Sequence, residues 1–364
     1  MTDSSRRSCG AAALPSLRVP TASLATALLA AACLASSAEG NDVLLVPESL
    51  GDRIWALSPV DGSVLSTSFI APDGILSQPI HAIPSGTGTI LIADEVRKSI
   101  FEYSGSGQYL RTLAGPKNGV LGAYSLCVRD GFVYFTSGAG VSTSEGYIYK
   151  VALAGGPVTI FSDWLAIGAP RGIQPFGNGF VVGNSTDDDL ELVGPTGAVA
   201  SIPFHDSDGA IGIDFPQQIK RRANGEFMVA GFSDPWGVYF YDTSGIQVGA
   251  YTTPQVPLSA RGCHELENGD ILFTAGTLIQ RVIVKNATTQ LIVNQGGASF
   301  RFVERFTPAA ACPGDIDGNQ SVDAADLSAL LAAWGATSGA ADLNGSGLVD
   351  AADLSILLAS WGPC

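Results

Sequence analysis

The chain has 364 residues, and its 34 acidic side chains outnumber its 19 Lys and Arg side chains, which gives a formal net charge of −15. An acidic chain without a basic stripe repels phosphate, so this composition excludes a nucleic-acid partner. After the N-terminal region, no segment is long and apolar enough to form a transmembrane helix.

Residues 1–38 have the pattern of a secretory signal peptide. The Arg6-Arg7 pair precedes an apolar run over 24–34 that is too short to span a bilayer, and small residues lead up to a cleavage site after Ala38. A lipoprotein signal would use Cys33, although Ala stands three positions earlier where such signals carry Leu. The arginine pair also permits export by the twin-arginine route, although the residues that follow the pair in that motif are missing here. We therefore expect a secreted or cell-surface protein.

Residues 41–306 are predicted to be mainly β-structure with a repeat of about 45 residues. A short apolar strand recurs after a turn rich in Gly or Asn, at 43–46, 90–93, 132–135, 180–182, 227–230 and 271–273. Another strand precedes each of the last five, with centres at Ile80, Leu126, Ile173, Ile219 and Cys263. Two more strands follow in each unit. Units of this length with four strands are typical of propeller blades.

The two ends of this region predict six blades. The first unit lacks its first strand and begins at Val43, whereas one strand, 300–304, is left over at the C-terminal end. Pairing these ends would close the ring and leave no open sheet edge. The region resembles six-bladed propellers of the NHL type. That resemblance implies the fold and leaves the function open, because one fold serves many functions.

The predicted propeller carries no intact catalytic motif, and its catalytic residues are unknown. Gly-x-Ser-x-Gly, His-Glu-x-x-His and phosphate-loop patterns do not occur. His81 and His264 fall at nearly equivalent places on the innermost strands, but the other units carry Cys127, Gln174 and Lys220 nearby. We therefore expect core or channel histidines rather than metal ligands. Carboxylates from distant blades could still converge as a glycosidase pair.

One ring of residues is predicted to face a ligand, because strand entries around a propeller axis commonly form its mouth. Two positions before each inner-strand centre stand the ring residues Gln78, Tyr124, Arg171, Gln217, Arg261 and Phe300. Two cations, two amides and two aromatic rings suit a small anionic or sugar-like ligand. The alternative is that both arginines pair with local aspartates as structural pins.

The last 50 or so residues contain one twelve-residue pattern twice, at an offset of 27 residues. Oxygen-bearing side chains stand at positions 1, 3, 5, 9 and 12, and position 7 offers a backbone carbonyl, which is the pattern of a calcium loop. The predicted ligands are Asp315, Asp317, Asn319, Ser321, Asp323 and Asp326 in the first loop, and Asp342, Asn344, Ser346, Leu348, Asp350 and Asp353 in the second. We therefore expect two calcium ions.

This duplication resembles a type I dockerin, the calcium-dependent docking module of cellulosomal and related exported bacterial proteins. Both loops end in Asp rather than Glu and are followed by one helix, as in that family. The resemblance covers 312–364 and implies a small all-α domain and a cohesin-like or other surface receptor. It also implies a disulfide between Cys312 and Cys364, since dockerin termini lie close together. Such a bond would contribute up to ~4 kcal/mol in the chain-entropy model.

The C-terminal module departs from its family in ways that affect both binding functions. Gln320 stands where a Gly usually eases the loop turn, and Ser346 is a weaker ligand than Asp, so both sites should be weakened. The docking positions are Ala324-Ala325 and Ala351-Ala352 where cellulosomal dockerins often carry Ser-Thr, and no basic residue follows Arg305. We therefore expect negligible binding to an ordinary cellulosomal cohesin.

Each predicted C-terminal helix carries apolar residues at i, i+3, i+4 and i+7, which predicts one buried stripe per helix. These residues are Leu327, Leu330, Leu331 and Trp334 in the first helix, and Leu354, Leu357, Leu358 and Trp361 in the second. Two further cysteines of the exported chain, Cys127 and Cys263, fall in strand patterns and are expected to be small buried hydrophobic residues.

Two functions fit the sequence. The first is a non-catalytic binding or scaffold protein, held at a surface or in an extracellular assembly by its calcium-binding module. The alternative is a secreted hydrolase or lyase that acts on a carbohydrate or a lactone. This alternative rests on association, because some six-bladed families are lactonases or lyases and dockerins often belong to polysaccharide catabolism.

Overall fold

The structure, a computed structural model, describes residues 42–138, 146–163, 167–207, 212–308, 312–317, 319, 321–337 and 339–363. The predicted signal peptide therefore lies outside the described residues. In the described part, six β-sheets of three or four strands precede two short helices and a two-stranded sheet. The prediction of a mainly β, six-bladed propeller followed by a small helical module is confirmed.

The first three blades are four-stranded antiparallel sheets. Blade 1 is assembled from both ends of the propeller and consists of β1 (Val43–Glu48), β2 (Arg53–Leu57), β3 (Val64–Ile70) and β23 (Glu304–Phe306). Blade 2 consists of β4 (Pro79–Pro84), β5 (Ile90–Asp94), β6 (Ser99–Tyr103) and β7 (Tyr109–Ala114). Blade 3 consists of β8 (Leu126–Arg129), β9 (Phe132–Thr136), β10 (Ile148–Ala152) and β11 (Thr159–Ser162).

The next three blades follow the same order, with one strand missing from blade 4. Blade 4 consists of β12 (Pro170–Phe176), β13 (Gly179–Asn184) and β14 (Asp189–Val193). Blade 5 consists of β15 (Pro216–Arg221), β16 (Phe227–Gly231), β17 (Gly237–Tyr241) and β18 (Gln247–Tyr251). Blade 6 consists of β19 (Gly262–Glu265), β20 (Ile271–Ala275), β21 (Leu278–Ile283) and β22 (Thr288–Asn294).

The expectation of a fourth strand in every complete unit is wrong for blade 4. The segment after β14 makes only two isolated bridges to it, Val193 with Val199 and Leu190 with His205. Pro203 lies between these bridges and has no backbone N–H to donate, so a continuous ladder cannot form there.

The ring closes between β1 and β23. Val43 pairs with Phe306 and Leu45 pairs with Glu304, in antiparallel register. The closing strand thus begins four residues later than the predicted one over 300–304, and Phe300 makes only an isolated bridge, to Glu48. The predicted pairing of the two ends is confirmed, although its register is shifted toward the C-terminus.

Apolar side chains between neighbouring blades hold the propeller together. Six separate clusters of buried residues fill the six gaps, including the gap between blade 6 and blade 1, where Leu272 and Phe300 pack with Leu44 and Trp55. Burial of apolar side chains contributes ~25 cal/mol for each Å² removed from water. The closed ring therefore has an apolar interface on both faces of every blade.

Hydroxyl groups add a repeated polar contact between blades. Ser49 in blade 1 and Ser185 in blade 4 donate to the carbonyls of Pro79 and Pro216 at 2.7 and 2.9 Å. Thr136 and Thr274 likewise donate to the carbonyls of Arg171 and Arg301, both at 2.6 Å. Each bond ties one blade to the beginning of the next innermost strand, so it fixes the mouth of the propeller.

The C-terminal module contains α1 (Ala324–Ala332), α2 (Ala351–Ala359), β24 (Ser321–Val322) and β25 (Gly362–Pro363). β24 and β25 pair antiparallel, which joins the first loop to the end of the module. The buried core consists of Val322, Leu330, Ala341, Val349 and Leu357. No helix of the described residues meets the length and apolarity needed to cross a membrane.

The prediction that four residues of each helix are buried is wrong for half of them. Leu330 and Leu357 are fully buried, and Leu327 and Leu354 pack partly against the core. By contrast, Leu331, Trp334, Leu358 and Trp361 are 52%, 47%, 53% and 49% exposed. Val322 and Val349 fill the space beside the inner row, and so two nine-residue helices cover only one row of each other.

Candidate functional site

The first predicted calcium loop folds around its carboxylates. Oxygens of Asp315, Asp317 and Asp326 lie within 4.8 Å of one another. The backbone N–H groups of Ile316 and Asp317 donate to one oxygen of Asp326 at 2.7 and 3.1 Å. Burial raises the pKa of Asp326, but these and other backbone donors outweigh it and lower the pKa below its usual value. The oxygens are hard donors of the type that calcium prefers, so they fit this ion.

The second loop repeats these contacts. Ser346 donates its backbone N–H to Asp342 and Asn344 at 3.0 and 2.8 Å, as Asn319 does to Asp315 and Asp317 in the first loop. Gly347, at loop position 6, has a φ of +84°, a left-handed conformation that favours glycine. The corresponding Gln320 and the predicted disulfide partner Cys364 lie outside the described residues, so both predictions stay untested.

Loop positions 9 and 12 also begin the helices. Asp323 is the N-cap of α1 and accepts from Ala325 at 2.7 Å, while Asp326 accepts from the backbone N–H of Asp323 at 2.9 Å. Asp350 and Asp353 form the same capping box in α2. One pair of carboxylates in each half therefore belongs to both the predicted calcium loop and the start of the helix.

The predicted ligand ring lies at the beginning of the innermost strands, at one end of the propeller axis. Arg171 and Gln217 are the second residues of β12 and β15, and Arg261 directly precedes β19. Tyr124 donates its hydroxyl to Oε1 of Gln217 at 2.7 Å, across the axis from blade 3 to blade 5. The backbone of Gln78 makes two hydrogen bonds here. Its carbonyl accepts from the backbone N–H of Glu95, and its N–H donates to Oδ1 of Asp52.

The sixth ring position belongs to Arg301 rather than to Phe300. The carbonyl of Arg301 accepts a threonine hydroxyl just as the carbonyl of Arg171 does, so the two residues occupy equivalent places. Phe300 is fully buried beside Trp55, with ring centroids 5.0 Å apart. The predicted ring was one residue out of register in this blade, because the leftover strand has no repeat of its own to align it.

The two predicted arginines stack on aromatic rings instead of pairing with aspartates. The guanidinium carbon of Arg171 lies 4.5 Å from the Tyr124 ring centroid and 4.8 Å from that of Phe215. Arg261 lies 4.5 Å from the Phe232 centroid. Neither arginine forms an ion pair with a described residue. Burial, followed by the charge of Arg301, lowers the pKa of Arg261.

A glycine follows each of these arginines because the next blade approaches closely. A side chain at Gly172 would place its Cβ 2.2 Å from the carbonyl oxygen of Gln217, and one at Gly262 would lie 2.5 Å from that of Arg301. Close packing of the next blade therefore explains why a glycine stands in both Arg-Gly pairs of the sequence. The arginine itself is free to line the mouth.

Below the mouth, apolar residues separate the ring from a second polar layer. Phe302 is fully buried and packs with Ile80 and Tyr124. Its ring centroid is 5.1 Å from that of His81, which belongs to the next layer. The mouth therefore has an apolar floor.

The second layer is centred on Glu304, which the sequence did not single out. One oxygen of Glu304 pairs with Lys220, and the other lies 3.2 Å from Nε2 of His81 and 3.3 Å from Nε2 of Gln218. Burial raises the pKa of Glu304, but the Lys220 ammonium and the His81 hydrogen bond reverse this effect and lower it. Both oxygens are engaged, so the contacts favour a structural role for this carboxylate.

The histidines and cysteines near this layer behave as buried core groups. Nδ1 of His81 accepts from the backbone of Leu126 at 3.1 Å, and neither His81 nor His264 belongs to a group of possible metal ligands within the described residues. Cys127 and Cys263 are buried and form no disulfide. Burial raises the pKa of both thiols.

Residues 313–359 match the model of the dockerin type I domain family. This match supports the calcium-binding class of module that the duplicated loops indicate. None of the curated proteins compared with the chain matches it.

Solved structures share the propeller fold at low identity. A chain of a nidogen–laminin complex has a TM-score of 0.57 and 11% identity, covering 74% of this chain and 100% of that one. A protein of unknown function from Bacteroides caccae has a TM-score of 0.52 and 13% identity, covering 73% and 99%. A streptogramin B lyase has a TM-score of 0.50 and 16% identity, covering 74% and 88%. These likenesses concern the fold alone.

Proposed function

We propose that this chain is an exported binding protein. Its C-terminal module, loaded with two calcium ions, anchors it to a receptor on a surface or in an extracellular assembly, and its propeller binds a small ligand at the mouth. The observation that carries the proposal is the paired loop, with three carboxylates of the first copy within 4.8 Å of one another. The dockerin match over 313–359 supports the same assignment.

The exposed apolar residues on the two helices and directly after them are the proposed docking face. Leu331, Trp334, Leu358 and Trp361 form two copies of one patch, related by the internal duplication. The alanines at 324, 325, 351 and 352 are also exposed, and no basic residue occurs after Arg305. Exposed apolar groups with an acidic surround favour a receptor face that is apolar at its centre and basic at its edge. They do not favour the polar face of an ordinary cellulosomal cohesin.

The docking proposal is tested on producing cells or isolated extracellular assemblies. We expect a calcium chelator to release the protein, and the Trp334→Ala, Trp361→Ala double variant to be released while still binding calcium. Leu65→Ala, which truncates an exposed apolar residue of the propeller, is the matched control. Retention that survives both the chelator and the double variant would contradict calcium-dependent docking. Tight binding to a type I cohesin would contradict the proposed receptor chemistry.

The mouth is the proposed ligand site because its arginines are available. A structural pin would hold Arg171 or Arg261 against a carboxylate, and no described carboxylate fills that place. The flat guanidinium faces rest on aromatic rings, and their N–H groups make no hydrogen bond with a described residue. Screening the full chain against immobilised glycans tests this role, with Arg171→Gln as the variant that should lose binding. Unchanged binding in that variant would place the ligand elsewhere.

A further inference from the structure

We infer that the mouth is an oxyanion site, and that it holds a carboxylate carried by a small molecule such as a uronic acid. The inference rests on the proposed function of the mouth and specifies its ligand. It uses one property of the site, namely that the polar atoms left without a partner there are donors.

Two buried donors at the mouth have no partner. Nε2 of Gln217 and Nε of Arg171 are both buried without a hydrogen bond. Gln217 is only 1% exposed. The Tyr124 hydroxyl occupies Oε1 of Gln217, so the bond orients the amide and leaves its NH₂ group as the free end. A buried donor without a partner destabilises the unliganded site, so a ligand that accepts these bonds is favoured.

Arg261 and Arg301 add further donors. The guanidinium of Arg261 makes no hydrogen bond or ion pair with a described residue, and it stacks on the ring of Phe232. Arg301 donates Nε to Ser49 at 2.7 Å, and its terminal nitrogen forms a longer ion pair with Glu95 at 3.7 Å. The effect of Arg171 and Arg301 on the pKa of Arg261 places the three cations within electrostatic reach of one another. Glu95 faces the same cluster, so one carboxylate stands against three cations and the cluster keeps an excess of positive charge.

A neutral sugar does not satisfy this set. Hydroxyl groups both donate and accept, whereas a carboxylate is an acceptor only and can bind a guanidinium edge through two parallel bonds. The aromatic rings on the faces of Arg171 and Arg261 leave those edges as the open side. The chain has a net charge of −15, so its surface as a whole does not attract anions. The three arginines at the mouth form a local positive patch that does.

The test compares two sugars that differ at one group, D-galacturonate and D-galactose, by calorimetric titration of the full chain. We expect saturable binding of galacturonate, competition by inorganic sulfate, and galactose at least about tenfold weaker, the change that 1.4 kcal/mol produces. Arg171→Gln, Arg261→Gln and Arg301→Gln should each weaken galacturonate about tenfold or more. Arg221→Gln is the matched control, because Arg221 is an exposed arginine at the far end of an inner strand.

The outcomes separate the class of ligand from the location of the site. Galactose bound as tightly as galacturonate, with both lost in Arg171→Gln, would overturn the oxyanion assignment and leave the mouth as the ligand site. Oxyanion binding that survives all three mouth variants would overturn both. Since a variant can misfold, ¹⁵N signals of the arginine side chains in the wild-type chain give a second readout. Signals of Arg171, Arg261 and Arg301 that do not move with sulfate or galacturonate would also overturn the inference.

Discussion

At the scale of single residues, burial decides the charge of the histidines along the propeller axis. Burial, aided by the Lys220 charge, lowers the pKa of His264 to about 3. Burial also lowers the pKa of His81, against the opposing effect of its bond to Glu304. Both residues are therefore neutral in the folded protein near neutral pH. As pH falls below about 6.5, these histidines become protonated in the unfolded chain while they stay neutral in the folded protein. The unfolding free energy therefore decreases as the pH decreases.

His264 gives a prediction with a definite sign. Between pH 7 and pH 4.5, the wild-type chain should lose about 2.5 kcal/mol more unfolding free energy than His264→Gln, since the variant has no proton to take up. Urea unfolding at the two pH values measures the difference. Asp94, whose pKa burial raises to about 6, has the opposite pH dependence but is present in both proteins. Equal losses in the two proteins would contradict the buried, neutral state of His264.

The sequence could indicate five of the mouth positions but not the sixth. Repeats align Gln78, Tyr124, Arg171, Gln217 and Arg261, because each lies at the start of an inner strand of a complete unit, either just before it or as its second residue. Arg301 and Glu304 lie on the strand that completes blade 1, and no complete repeat follows to set their register. The pairing of Glu304 with Lys220 depends on ring closure, so it could not be read from local spacing.

At the scale of elements, the C-terminal helices are too short to bury a full stripe. Helical periodicity correctly indicates which residues share a face. It does not say how much of that face a partner covers, and here each nine-residue helix meets mainly one row of the other. The second row stays exposed because no further element of the described residues packs on it. This exposed row belongs to the proposed docking face.

Adjacent leucines in α1 provide a matched test of this packing. Leu330→Ala should lower the unfolding free energy of the calcium-loaded module by ~2–5 kcal/mol, because it leaves a cavity in the core. Leu331→Ala, at an exposed position one residue later, should change it by no more than about 0.5 kcal/mol. Thermal unfolding of the full chain followed by helical circular dichroism measures both. Similar losses in the two variants would mean that both rows are buried.

At the scale of the whole molecule, ring closure removes the exposed edge of blade 1. A chain that ends at Gly297 lacks β23 and leaves β1 as an unpaired edge strand, a template for aggregation. A chain that ends at Pro308 lacks the same C-terminal module but keeps β23, so it is the control. We expect the first to aggregate or lose cooperative unfolding and the second to stay monomeric. Equal behaviour of the two in light scattering and calorimetry would contradict the closure.

The proposed anchoring of the protein depends on calcium binding by the C-terminal module. The same aspartates close each loop and cap each helix, and seven carboxylates from Asp315 to Asp353 repel one another without a cation. Metal binding and helix formation should therefore be coupled.

Calorimetric calcium titration of the full chain is the most direct test. We predict two ions for the wild-type chain, one for Asp315→Ala and one for Asp342→Ala, with a gain of helical circular dichroism on each binding step. Asp130→Ala, at an exposed aspartate of the propeller, should keep both ions. A wild-type chain that binds no calcium, or loop variants that bind as many ions as the wild type, would contradict calcium binding by the duplicated loops.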